Sequence, residues 1–353
     1  MKQTRKYMDL HNEAFQQFER IQRAVRDERL QCVSDRRFYS VAGAQWEGPL
    51  SEQFENRPRL EINKIHLSVI RIFNEYRNNR ISIKFIPKDG AKDDKLADAC
   101  ASLYRADEQD SGAEEAYDNA FEEAVGGGFG AWRLRTEYED DEDDENEYQR
   151  IRIEPIFDAD SCVFFDLDAK RQDKKDARHC FVLSAITREE YERQFDDDPV
   201  TWPKGIHQHE FDWLTPDLVY IAEYYMIEEK PEVIDVYKDN TDINQEMELP
   251  EGETPDDSTD FTKPMMIDSF LARKKTRYKR QCHKYVLSGG GILDDCGVIA
   301  GRHIPIVPVY GKRWFIDGIE RCMGHVRLAK DMQRLKNMQL SRLAEYAALS
   351  TIS

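Results

Sequence analysis

Apolar residues recur at three- and four-residue spacing from residue 4 to 31, where Tyr7, Leu10, Ala14, Phe18, Ile21 and Val25 share one side. That period predicts a long amphipathic helix, roughly 42 Å if about 28 residues are helical. Gly43, Gly48 and Pro49 break the pattern. A second helical period runs over 61–77 through Ile62, Ile65, Val69, Ile72, Phe73 and Tyr76. The pattern then changes to strict alternation. In "RISIKFIP", Ile81, Ile83 and Phe85 alternate with Ser82 and Lys84, predicting a strand over 79–87 with one buried face.

Two helices are predicted near 92–105 and 112–125, the second with Ala113, Ala116, Ala120 and Ala124 along one side. "GGGFG" (126–130) follows a helix and precedes a strand. A phosphate-cradling loop needs the opposite order, so these glycines read as a helix stop. "AWRLRTEYE" and "YQRIRIEPIF" flank the run "DDEDDEN" and read as a hairpin with a solvated acidic tip. Residues 176–228 alternate as further strands around a short helix at "TREEYERQF". "PEGETPDDSTDFTKP" has linker composition. Beyond it, 264–275 has a helical period. Residues 276–295 read as strand, Gly-rich turn and strand, 304–316 as extended chain, and 318–349 as a final helix. The fold class is α+β. No cap follows Leu349, so the polypeptide is expected to continue beyond Ser353.

Composition adds an asymmetry. The 353 residues carry a net charge of −18, with 34% charged residues. From Phe261 onward there are 17 Lys and Arg against 7 Asp and Glu, so the last quarter is +10 and the first 260 residues carry −28. A basic region on an otherwise acidic chain separates an attracting surface from a repelling one. No apolar run reaches the roughly 18 residues that a spanning helix needs, and no signal peptide is visible, so the expected setting is cytoplasmic with no membrane partner.

Candidate chemistry is sparse. The seven cysteines show no Cys-x-x-Cys spacing and read as reduced thiols, and His207 and His209 as loop residues, so neither a metal nor another cofactor is expected. There is no Gly-x-Ser-x-Gly elbow, Walker loop or His-Glu-x-x-His helix. Asp158, Asp160, Asp166 and Asp168 are close enough in sequence to gather a divalent ion for phosphoryl transfer. Strand ends and turns are the plainer reading.

Five stretches carry a resemblance: "GAQW" at 43–46; "RPRLEINKI" with "NRISIKFIP" at 57–87; "GGGFGAWRLRTEYE" at 126–139; "VLSGGGILDD" at 286–295; and "GHVRLAKDMQRLKNMQ" at 324–339. In this order they resemble the portal proteins of short-tailed phages. The resemblance implies a non-enzymatic virion subunit, one of about twelve in a ring at a capsid vertex. Such a subunit has a mixed helix/strand wing, a helical stem and a small α/β clip. The ring passes double-stranded DNA during packaging and ejection. Its partners would be the terminase large subunit, tail adaptors, and coat and scaffolding proteins, in the virion and, during assembly, in the host cytoplasm. On that template residues 1–260 are wing, 261–275 a stem helix, 276–317 the clip and 318–353 a second stem or wing helix, with further wing, crown and barrel missing. Arg277, Lys279, Arg280, Lys284, Arg327, Lys330 and Arg334 are the expected DNA or motor contacts. Arg71, Arg77, Tyr285 and Leu287 are the expected subunit contacts. The competing readings are a metal-dependent nuclease built on the Asp158–Asp168 group and another virion adaptor scaffold.

Overall fold

The computed structural model describes residues 2–87, 94–139, 148–195, 199–203, 218–239, 246–250 and 269–350. The acidic run at 140–146, His207, His209 and most of the linker-like stretch at 250–264 lie outside them. Helices α1 (Lys2–Ser40), α2 (Pro49–Gln53), α3 (Lys64–Asn78), α4 (Asp94–Ser111) and α5 (Ala113–Gly126) come first. A mixed region follows: β1 (Phe129–Tyr138), β2 (Gln149–Ile156), α6 (Ala159–Cys162), β3 (Val163–Phe165), β4 (His179–Thr187), α7 (Arg188–Phe195) and β5 (Leu218–Asp239). Strands β6 (Glu246–Pro250), β7 (Ser269–Leu287), β8 (Ile292–Ile299), β9 (Ile306–Tyr310), β10 (Lys312–Ile316) and β11 (Ile319–Met323) lead into α8 (Val326–Ser350). The chain is therefore α+β.

The largest sheet has the antiparallel order β3-β4-β5-β7-β8, with β6 added to β5. A smaller sheet orders β2-β1-β9, and β10 pairs with β11 as a hairpin. Strand β4 is buried on both faces, because successive side chains point opposite ways. Phe181 and Leu183 join one core cluster, Cys180 and Val182 the other. Helix α1 serves both clusters. Its predicted stripe buries Ala14, Phe18 and Ile21, and the Phe18 ring lies edge-on to Phe164, Phe181 and Trp202 at 5.2, 5.5 and 5.6 Å. Two turns beyond Val25, Cys32 enters the second cluster beside Phe129, Val163 and Cys282.

The glycine run ends α5 and enters β1, and it also permits close approach. A Cβ on Gly130 would lie 2.1 Å from the carbonyl oxygen of Ala120, and Gly128 (φ +117°) faces the backbone of Met323. The alanine stripe predicted for this helix is buried, which lets the small sheet sit tightly against α5.

Three expectations differ from the structure. Residues 269–275 belong to strand β7, not to a helix. Eighteen paired positions with β5 override a weak helical period. The strand crosses the expected stem–clip boundary at 275/276, and β9, inside the expected clip, pairs with β1. The start of the expected last helix is a turn residue, Gly318, and strand β11 (Ile319–Met323). Asp317 (φ +52°) and Gly318 (φ +76°) form the turn of the β10–β11 hairpin, and Asp-Gly is the sequence signal for such a turn. Residues 80–87 are extended but paired with no described strand, and Ile81 and Ile86 are 88% and 79% exposed.

Candidate subunit and nucleic-acid interfaces

Helix α8 is polar on its inward face and apolar on its outward face. Gln333, Asn337 and Ser341 are buried, while Leu328, Met332, Leu335, Leu343 and Tyr346 are exposed. The buried three are spaced i, i+4, i+8 and form a ladder with the extended chain before α3. Ser341 Oγ accepts from Leu60 N at 2.9 Å, Asn337 Oδ1 from Ile62 N at 3.2 Å and Gln333 Oε1 from Lys64 N at 3.1 Å. The fit is geometric. Two residues of extended chain advance about 6.8 Å, and four of helix about 6 Å, so every second N–H meets every fourth side chain. Gln333 Nε2 also donates to Ile62 O at 2.7 Å, and Asn337 Nδ2 to Gln45 Oε1 at 2.6 Å. Three of the stretches that carry the resemblance thus meet at one place: "GAQW" supplies Gln45, "RPRLEINKI" the backbone, and the last motif Gln333 and Asn337.

Three basic residues of α8, Arg327, Lys330 and Arg334, are engaged within the subunit. Arg327 donates from Nε to Asp35 Oδ2 and from Nη1 to Glu28 Oε1, both at 2.7 Å. Burial opposes its charge, but the Glu28 and Asp35 carboxylates more than restore it, so its pKa lies above the ordinary arginine value. Lys330 pairs with Asp35 at 2.5 Å and donates to Ser34 Oγ at 3.0 Å. Arg334 places its guanidinium over the Phe38 ring at 5.2 Å. As DNA or motor contacts Arg327 and Lys330 are corrected. Asp35, itself 1% exposed, requires their charge where it is. Sequence reading missed this seam because Glu28 and Asp35 lie nearly 300 residues away. The 333/337/341 spacing was its one visible trace.

The β5–β7 pair behaves differently. Residues 273–279 are all exposed. Lys284 donates to Glu223 Oε1 at 2.8 Å, and Glu223 also accepts from Arg133 at 3.0 Å. Burial would raise the Glu223 pKa, but Lys284 and Arg133 lower it. Arg280 lies 3.7 Å from Glu229. Among the described residues Arg277 and Lys279 have no ion-pair partner, and Lys279 stands directly opposite Lys230. Like charges directly across a ladder are unfavourable.

Of the expected subunit contacts, Arg71 is exposed, while Arg77 is spent on Asp118 at 3.2 Å. Tyr285 and Leu287 are corrected. Both are buried in their own subunit's core beside Tyr224 and Phe181, because β7 pairs there with β5 and β8. The aspartates at 158–168 divide into two internally compensated groups. Asp160 takes two hydrogen bonds from Arg36, at 2.9 and 2.7 Å, and Asp158 one at 2.7 Å. Asp166 instead accepts backbone N–H groups of Asp168 and Arg178. Beside the first group, Glu123 caps α6 by accepting from Asp158 N and Ala159 N. Burial, with Asp160 adding repulsion, pushes the Glu123 carboxyl up to about 7 against the pull of Arg36.

The family model of phage P22-like portal proteins matches residues 15–352. A portal protein of Acyrthosiphon pisum secondary endosymbiont phage 1 is 40% identical over 359 residues, covering 97% of this chain and 48% of its own length. The chain thus spans about half the length of that relative.

Proposed function

Because the chain belongs to the family of phage P22-like portal proteins, we propose that it is part of a virion ring subunit through which double-stranded DNA is packaged and ejected, with no turnover of its own. The observation that carries the reading furthest, beyond family membership, is helix α8. A lone subunit has no reason to face Leu328, Met332, Leu335, Leu343 and Tyr346 outward over a buried polar ladder. A subunit in a larger assembly does. The unpaired segment with Ile81, Ile83, Phe85 and Ile86 exposed supports the same reading.

In the ring of about twelve, residues 1–260 form the wing, and the later residues lie toward the narrow end, where the terminase large subunit and tail adaptors dock; coat and scaffolding proteins meet the wing. Duplex contacts fall to Arg277 and Lys279, and subunit contact to Arg71. The chain carries a net charge of −18, and sparse free cations suit a duplex that must slide, since each neutralised phosphate adds affinity and salt dependence. Native mass measurement and negative-stain microscopy of the purified protein test the ring: closed rings are expected. A protein that stays monomeric at high concentration, or that cleaves DNA in magnesium, overturns the reading. Losing the rings in Leu328→Glu/Tyr346→Glu would tie assembly to α8.

A further inference from the structure

Two thiols meet where α1 crosses the β10–β11 hairpin. Cys32 Sγ and Cys322 Sγ are 3.8 Å apart, and both residues are buried. Cys32 belongs to α1, Cys322 to β11, four residues before α8 begins. Their surroundings mix both charges: Arg327 Nη2 lies 3.5 Å from Cys32 Sγ, and Arg321 and Arg327 hold the two Glu28 oxygens at 3.1 and 2.7 Å. Cys322, unlike Cys32, also lines a cavity of about 160 Å³ together with Glu28, Arg29 and Glu320.

We propose that Cys32 and Cys322 are a peroxide-oxidisable pair, in which Cys322 is oxidised first from the cavity and Cys32 resolves it as a disulfide. The Cys322 thiolate attacks one oxygen of hydrogen peroxide. The O–O bond breaks, hydroxide leaves, and Cys322 becomes a sulfenic acid. Cys32 sulfur then attacks the Cys322 sulfur. The S–O bond breaks, the Cys32 proton and the departing hydroxide form water, and the S–S bond forms. Sulfur has lost two electrons and peroxide has gained them. A hydrogen bond from Cys32 S–H, assisted by Arg29 and opposed by burial, lowers the Cys322 pKa; the same contact and burial raise that of Cys32. This is the order of reactivity that the cavity also favours.

Glu28, Cys32 and Cys322 also bring three donor atoms within 4.8 Å of one another. A cation there would have to displace two arginines from Glu28, whereas a disulfide needs no ligand from Glu28. The bond would fasten α1 to the strand that leads into α8, behind the ladder. It is independent of the portal reading and survives or fails without it.

The test is hydrogen peroxide treatment of the native protein, followed by thiol blocking and non-reducing peptide mapping. Expected are the loss of two of the seven free thiols, a fall in mass of two hydrogens, and one cross-linked peptide pair containing residues 32 and 322. In Cys32→Ser a sulfenic acid accumulates at Cys322 and is trapped by dimedone; in Cys322→Ser residue 32 stays reduced. Hydrogen exchange over residues 319–350 slows in the oxidised wild type. The proposal is overturned if the map shows no 32–322 cross-link, if only the exposed Cys296 reacts, or if the untreated protein carries stoichiometric zinc on these thiols. The wild-type map decides the matter even if a serine variant misfolds.

Discussion

Helix α8 and the β5–β7 ribbon both lie in the basic last quarter of the chain, yet they use their cations in opposite ways. On α8, Arg327 and Lys330 neutralise Glu28 and Asp35 from α1, so the charge of these two residues is spent inside the subunit. On the ribbon, Arg277 and Lys279 stand exposed without a described counter-charge, and Lys279 faces Lys230. The difference teaches that net charge along a sequence is not surface charge. Two carboxylates placed against a basic helix convert apparent affinity for phosphate into cohesion.

The comparison is broken most strongly at Asp35. Asp35→Ala leaves Arg327 without one partner and Lys330 without its carboxylate in a buried seam. Breaking a buried pair this way costs about 3–5 kcal/mol, so the urea midpoint should fall steeply. Asp35→Ala together with Lys330→Met should recover part of the loss, since the lysine charge that Asp35 compensated is removed with it while Arg327 keeps Glu28. A loss near zero for Asp35→Ala would mean that the α1–α8 seam is not held by charge.

A second cluster on α1 sharpens the point through pH. Glu123 titrates near 7 in the folded protein against an ordinary value of 4.5. Between those values the folded state holds a proton that the unfolded chain has released, so stability falls as pH rises from about 4.5 to about 7 and is level above. The full span is worth roughly 3 kcal/mol at about 1.4 kcal/mol per pH unit. His179, lowered from 6.5 by burial despite Asp166, contributes with the opposite sign. The decisive measurement is therefore the difference from Glu123→Gln, which keeps an oxygen for the Asp158 and Ala159 N–H groups. Wild type should lose stability relative to this variant between pH 5 and 7.5.

The polar ladder gives a smaller effect. Asn337→Ala leaves Ile62 N–H and the Gln45 carboxamide oxygen unpaired beneath α8, a cost of about 1–3 kcal/mol. Asn337→Asp is no rescue, because its second oxygen faces the Gln45 oxygen that Asn337 Nδ2 now serves. A change in unfolding free energy below about 0.5 kcal/mol would show that water replaces the ladder without loss.

The two regions also mark where sequence reading succeeds. The stripe of Ala14, Phe18 and Ile21 and the buried alanines of α5 were legible, because their periods matched one element with one buried face. The run into β7 was not, since pairing with β5 is a non-local choice that a weak helical period cannot foresee. Asp317-Gly318 was a readable hairpin signal hidden inside a longer helical pattern. The expected DNA contacts were half legible: positive charge was visible, but Glu28, Asp35 and Glu223, which pair with Arg327, Lys330 and Lys284, lie far away in sequence. That the apolar face of α8 turns outward was not legible, because a helical period states which residues are alike and not which side is covered.

The smallest effect on stability is expected on the ribbon, where it is also the most informative about function. Arg277→Gln/Lys279→Gln removes two exposed cations and relieves the Lys279–Lys230 repulsion, so stability should change by no more than about 0.5 kcal/mol. DNA binding should respond instead. If both residues meet phosphates, the slope of log affinity against log salt should become shallower by about 0.9 for each, uniformly across duplex sequences. Arg327→Gln should destabilise the protein and leave that slope unchanged, because its guanidinium is engaged with Glu28 and Asp35. An unchanged slope in the ribbon variant would assign the exposed cations to an acidic protein surface. A slope lost equally in Arg327→Gln would overturn the distinction between cohesive and free cations on which the comparison rests.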